Sequence, residues 1–353
     1  MARRAFALAA SVGLVLGIAL PAAARNINAD NLYTVNNLRS DVPGAAAVLD
    51  PDLVNGWGLV ASGTSPWWVS DNGTSRSTLY NGNTNAKLGL VVSVPGAPTG
   101  IVFNGATDFK VDAGTGLVAA RFIFATDDGQ IAGWNGVGTN AISAATTADA
   151  VYLGLAIGSS GGANYLYAAN FAGGRIDVFN GTFGDGSGAL AGDFTDPGLP
   201  SGYAPFNIQN IGGELLVAYA MQNPAEPDEE LAGEGFGFVS AFGTDGTFHG
   251  RIASGGELNA PWGLAMAPSS FGKFGGDLLV GNFGDGRIHA FRNGDNGWED
   301  HGVLKGTDHR PIEIDGLWGL ITGDPGAGGV DSVWFAAGPD DESHGLLGTL
   351  RAS

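Results

Sequence analysis

The feature that most narrows what this chain can fold into is a unit of about fifty residues that recurs six times. Its first half is a short apolar strand: NGWGLVA from Asn55, APTGIVF from Ala97, VYLGLAI from Val151, APFNIQN from Ala204, APWGLAM from Ala260 and GLWGLIT from Gly316. Its second half is an apolar strand that closes on a small or polar residue: PWWVSDN, RFIFATD, NYLYAAN, ELLVAYA, DLLVGNF and DSVWFAAG. A third strand usually follows, as in RIDVFNG and RIHAFRNG. Anchoring the units on Gly58, Gly100, Gly154, Asn207, Gly263 and Gly319 gives spacings of 42, 54, 53, 56 and 56 residues. The apolar residues come in runs of four to six bounded by Gly, Asn and Asp, which excludes an amphipathic-helix reading. Gly is 61 of 353 residues and recurs at fixed places beside Trp, Leu and Phe, as tight turns between many short strands require.

Three or four strands at this period make one propeller blade. A single blade cannot bury both faces, whereas six around an axis bury them all and leave only short edges. The fold class predicted is therefore all-β, a six-bladed β-propeller. After VWFAAG and GLLGTL the sixth unit is one strand short, while NLYTVNNL, Asn31 to Leu38, precedes the first unit and has the composition of a strand. The expectation is that this N-terminal strand becomes the outer strand of the last blade. Burial of Leu32, Tyr33 and Val35 favours that over a loose arm.

The chain opens MARRAFALAASVGLVLGIALPAAARN, with Arg3 and Arg4, an apolar core and three consecutive alanines. That layout predicts a signal peptide over residues 1–24, in preference to an uncleaved anchor, and an exported protein in the periplasm or the medium. Residues 25–353 then form one propeller domain, expected to be a soluble monomer. With no cysteine, an exported protein of this size relies on packing, ring closure or bound metal. The formal charge of -19, from 35 acidic and 16 basic residues, repels phosphate backbones and anionic lipid. Nucleic acid is excluded as a partner and cations are favoured, although acidity alone also serves solubility.

The blades SDNGTSRSTLYNG, PTGIVFNG, GRIDVFNG, APFNIQNIGGELLVAYA, APWGLAMAP with GDLLVGNFGDGRIHAF, and DGLWGL with AAGPDDESHG resemble a bacterial family of exported six-bladed propellers of unassigned function. The resemblance covers nearly the whole chain after residue 24 and implies the fold without an activity. The blade pattern is more distantly similar to NHL- and TolB-like repeats and to the gluconolactonase type, which includes metal-dependent lactonases beside pure binding modules. The gluconolactonase type has an acidic residue entering its first inner strand, where this chain has Asn55.

In a propeller, residues that begin the inner strand and end the second strand gather at one mouth of the central channel. Here those places hold Asn55, Asn207, Asn259 and Asp315, then Asp71, Thr126 with Asp127, Asn170, Tyr219 and Asn282, and after the sixth unit Asp340, Asp341, Glu342 and His344. Oxygen ligands from several blades suit Ca²⁺, so Asp71, Asp127, Asn170, Asn282, Asp315 and Asp340 are the candidate metal ligands. The same residue types also cap strand-to-turn junctions with no ligand at all. Trp57, Trp262 and Trp318 stand one residue before three of the anchor glycines, with Phe206 in a fourth unit. They are either interblade packing or an aromatic floor for a sugar, polyphenol or peptide side chain. Asn55, Trp57, Tyr219, Trp262, Trp318 and His344 are the candidate ligand-binding residues. The insertion MQNPAEPDEELAGEGFG, Met221 to Gly237, is acidic and lies near the mouth, as a solvated loop or a lid.

No histidine pair has metal-ligand spacing, no GxSxG nucleophile elbow and no GxxxxGK[ST] phosphate loop is present, and GNFGDG joins strand to strand. The functional expectation is a binding or scaffolding module for a small molecule, glycan or protein at the mouth. The alternative is a Ca²⁺-dependent lactonase- or esterase-like hydrolase.

Overall fold

The computed structural model describes residues 30–353; the expected signal peptide, residues 1–24, lies outside the described residues. Six antiparallel sheets stand radially around one axis. Blade 1, for example, runs outward through Gly56–Val60, Trp67–Asp71, Arg76–Asn81 and Ala86–Ser93. The inner strands are Gly56–Val60, Pro98–Phe103, Tyr152–Ser160, Tyr203–Ile211, Pro261–Met266 and Leu317–Asp324, and each touches the next around the ring, the sixth returning to the first.

Side-chain alternation explains how each sheet is buried on both faces. Trp67 and Val69 point toward blade 6 and join Trp334, Ala336 and Leu347, whereas Trp68 between them points toward blade 2 and joins Phe122 and Phe124. Every one of the six interblade faces has its own apolar cluster of this kind. A seventh fills the axis.

The inner strand of every blade carries a register shift against its neighbour at the same place. In blades 3, 4 and 5 the residue left out of the ladder is Leu153, Phe206 and Trp262; the matching residues elsewhere are Trp57, Thr99 and Trp318. A bulge re-aims one side chain, and here it turns that residue toward the axis. The glycine that follows is required by close approach: a Cβ on Gly58, Gly100 or Gly319 would overlap the backbone of the adjoining inner strand. Asn207, the one non-glycine anchor, bridges that gap instead, its Nδ2 donating to Trp262 O at 2.7 Å.

The ring closes in blade 6 as the sequence predicts. Leu317–Asp324, Gly328–Ala337 and Leu346–Ala352 come from the C-terminal end, and Tyr33–Ser40 adds the fourth strand antiparallel to Leu346–Ala352. Tyr33 is buried between Phe271 and Phe274 of blade 5, with ring centroids 4.7 and 5.9 Å away. At the other end Arg39 lies over Tyr80 of blade 1 and pairs with buried Asp50. The closing strand thus ties blade 6 to both of its neighbours. Val35, expected inside, is instead exposed: it shares the face of the strand that carries Tyr33, but only Tyr33 is covered there by Phe271 and Phe274.

Candidate functional site

The six re-aimed residues close the channel. Trp57 stacks on Trp318 at 3.4 Å between ring centroids, and Phe283 stacks on the other face of Trp318 at 3.9 Å. Trp262 meets Trp57 and Trp318 edge-on, both at 5.9 Å. These rings are almost fully buried, so packing accounts for most of their area. Trp262 Nε1 donates to Leu153 O at 3.0 Å, deep in the channel. Trp57 and Trp318, in contrast, also form the floor of a cavity of about 260 Å³ at the mouth where the inner strands begin.

Above that floor the walls are acidic. Asp127 comes from blade 2, Glu342 from the turn after the second strand of blade 6, and Asp228, Glu229 and Glu230 from the insertion of blade 4. Asn55 is the hub that joins floor to wall. Its Oδ1 accepts from Trp318 Nε1 at 3.1 Å, and its Nδ2 donates to Glu342 Oε2 at 2.6 Å and to Asn72 Oδ1 at 3.2 Å. Asn72 in turn donates to Asp127 Oδ2 at 3.1 Å. Asn55 sits in the left-handed region at φ 49°, and the chain passes over it at Gly338, where a Cβ would overlap Asn55 Oδ1. Asp340, Asp341 and Glu342 are three consecutive non-glycine residues at positive φ, a strained turn that turns Glu342 into the mouth.

Burial pushes up the pKa of Asp127, Glu229, Glu230 and Glu342, and repulsion from neighbouring carboxylates adds to it. Glu230 is pushed up to about 7, with Glu342 and Glu229 its charged neighbours. No lysine or arginine lines the cavity. Among the described residues no group of three His, Asp or Glu side chains closes tightly enough to hold a bare metal ion. The carboxyls surround a volume instead of converging on a point.

The insertion is more ordered than a solvated loop. Glu226–Leu231 forms a strand that pairs with Glu214–Asn223 and extends it past the face of the ring. Gln222 fastens it by donating to Phe171 O at 2.8 Å and Pro227 O at 3.0 Å, and Asn259 Oδ1 accepts from Gly233 N at 2.7 Å. Glu230 is the one residue of this strand that is not exposed.

Of the candidate metal ligands only Asp127 lines this cavity. Asp315 borders an adjoining pocket of about 330 Å³ that shares Glu230 and Glu342, and its Oδ2 accepts from Asp340 N. The Asp340 side chain is exposed. Asn170 and Asn282 are spent on local structure: Asn170 accepts from Gly173 N and donates to Asp177, and Asn282 donates to Glu257 O. Asp71 points between blades 1 and 6 among Tyr80 and Asp50, fully buried with neither oxygen hydrogen-bonded. Burial raises its pKa well above the carboxylate range, and Asp50 adds to this.

Among the candidate ligand-binding residues, Asn55, Trp57 and Trp318 meet at the mouth. Trp262 is turned to the far side of the plug, where it lines a second cavity of about 280 Å³. Tyr219 is buried between blades 3 and 4, and His344 pairs with Asp41 on the outer surface at 2.9 Å. Glu342 was expected at the mouth though not as a ligand, and Asn72, Glu229 and Glu230 were not among the candidates. Asn72 follows Asp71 in the chain but lies in the 3-10 turn Asn72–Thr74, where the chain leaves the strand at the mouth.

No protein-family model matches the chain. Its fold is shared with a glucose dehydrogenase, at a TM-score of 0.54 over 91% of this chain and 100% of that one, but at 12% identity the likeness extends to the fold alone. Two uncharacterised proteins of Acanthamoeba polyphaga mimivirus are similar in sequence. One is 34% identical over 331 residues, 90% of this chain and 80% of the relative. The other is 33% identical over 332 residues, 90% and 85%. These relatives are viral and not bacterial. At that identity over that span, the chain belongs to the same family as these uncharacterised mimivirus proteins.

Proposed function

We propose that the protein is an exported binding module whose acidic mouth takes a cationic ligand, a hydrated Ca²⁺ or an organic ammonium group. The observation that carries this reading is the uncompensated charge of Asp127, Glu229, Glu230 and Glu342 around one small cavity with no basic residue in its lining. A cation entering there relieves repulsion that the fold otherwise bears. The space accommodates an ion with its water shell or a small alkylammonium resting against the apolar floor. Its size suits a small ligand or one protruding side chain of a larger partner.

The experiment is thermal unfolding of the EDTA-treated protein against Ca²⁺, Mg²⁺ and tetramethylammonium. A ligand that binds only the folded state raises the midpoint, by about 2.7 kcal/mol of stability at a hundred times its Kd. Glu342→Gln should weaken the response at least tenfold. If none of the three cations moves the midpoint beyond what added NaCl does, the mouth is not a cation site. A hydrolase reading needs an ion with an open coordination position beside the aromatic floor. A lactone and ester screen with and without Ca²⁺ tests it, and turnover unaffected by Glu342→Gln would remove the mouth from any such activity.

A further inference from the structure

Blade 3 differs from the other five in having no fourth strand: its sheet ends at Arg175–Asn180. The chain that follows, GTFGDGSGALAGDFTDPGLPSG from Gly181 to Gly202, is dominated by Gly, Pro and Asp, residues that do not sustain a strand. It covers the rim only at one end, where Gly186 N donates to Val178 O at 2.9 Å and Asn180 N donates to Gly184 O at 2.8 Å. Those two bonds fix the parity of the edge. Residues 176, 178 and 180 point their backbone groups outward, while Arg175, Asp177 and Phe179 pair inward with Asn170, Ala168 and Leu166. The N–H and C=O of Ile176 and the N–H of Val178 therefore have no partner among the described residues. A groove of about 480 Å³ follows this edge, walled by Thr146 and Thr147 of blade 2 on one side and Phe183, Asp185 and Ser187 on the other.

We propose that this rim is a strand-addition site, at which an extended segment of a partner polypeptide inserts as the missing fourth strand of blade 3. The free groups alternate donor, acceptor, donor at strand spacing, and only another extended backbone offers the complement at every position. Blade 6 shows that the ring accepts such a strand at this radial position from a segment remote in sequence, since Tyr33–Ser40 is added there to Leu346–Ala352. The occupant is a proline-free segment of β-branched residues with a lysine or arginine, because Arg175 in the groove is already paired with Asp177 at 2.6 Å while exposed Asp185 beside it pairs with no basic side chain among the described residues, and the chain carries a charge of -19. The site lies on the outer rim and is independent of the mouth.

The test uses the whole protein, residue-resolved amide exchange and a capped Lys-Thr-Val-Thr-Val-Lys peptide, with a proline-containing version as control. In the free protein the Ile176 and Val178 amides should exchange as fast as loop amides, while Asp177 and Phe179 stay protected. The peptide should slow Ile176 and Val178 at least tenfold, and the proline version should not. Thr146→Lys, an exposed change that sets a long charged side chain in the groove, should weaken the peptide at least tenfold with the melting temperature and the mouth's cation response unchanged. Protection of Ile176 and Val178 equal to that of Asp177 in the free protein would overturn the proposal. So would a peptide that protects other residues or none, or one indifferent to Thr146→Lys.

Discussion

Tyr33 is the residue on which closure of the ring is most directly tested. It is 1% exposed, stacked between Phe271 and Phe274, and its hydroxyl donates to Phe271 O and accepts from Phe274 N, both at 3.2 Å. Truncating a buried aromatic of this size to alanine costs about 3–5 kcal/mol, the transfer loss plus the cavity left behind. For a chain this long each kcal/mol lowers Tm by roughly 2 °C, so Tyr33→Ala should melt about 6–10 °C lower. Tyr33→Phe keeps the packing and leaves two backbone groups unpaired, at about 1–2 kcal/mol. Because the lost contacts hold a single strand, the amides of Leu346–Ala352 should also lose protection before the rest of blade 6. Calorimetry and amide exchange on the two variants read both effects. A Tyr33→Ala protein that melts within about 2 °C of wild type, with Leu346–Ala352 still protected, would refute closure by this strand.

Three further outcomes follow from buried charge and strain. Glu230 has its pKa raised in the folded state to about 7, so its contribution is fully present below the unfolded value of about 4.3 and is lost as pH rises through about 7. Glu230→Gln should flatten that loss, worth roughly 1–3 kcal/mol for a half-buried group, in melts of EDTA-treated protein from pH 5 to pH 8; identical pH slopes for the two proteins would contradict it. His289 is buried with both ring nitrogens unpartnered, and burial lowers its pKa. The unfolded chain then binds the proton first, so stability falls as pH drops below about 6.5, and His289→Leu should lose less Tm than wild type between pH 7.5 and pH 5.5. Asp341→Gly should relieve one left-handed residue of the turn carrying Glu342, stabilising the apo protein by about 1 kcal/mol, while a loosened Glu342 binds cations more weakly; a variant unchanged in both would show that the strain serves no purpose at the mouth.

The repeat alone determines most of the architecture, because a blade is a local object. Runs of apolar residues between Gly, Asn and Asp fix where strands start and stop, and six such units have only each other to bury their faces. The unpaired NLYTVNNL and the short sixth unit make the closing strand legible for the same reason. Anchor glycines are legible too, although what they permit, the contact of neighbouring inner strands, is visible only in three dimensions. The mouth is different. Asn55, Asp127, Trp57 and Trp318 could be named from repeat position, since they recur at equivalent places and meet by symmetry. Asp71 is buried between blades while Asn72 reaches the channel because the chain leaves the strand after Asp71 in a 3-10 turn, which the repeat pattern does not mark. Glu229 and Glu230 belong to an insertion with no counterpart in other blades, so no register reveals that it folds back as a strand over the axis. The sequence by itself determined the ring, its closure and its acidity. Only the tertiary structure decided which acids share a cavity, because their proximity is created between blades, across distances along the chain that no local pattern spans.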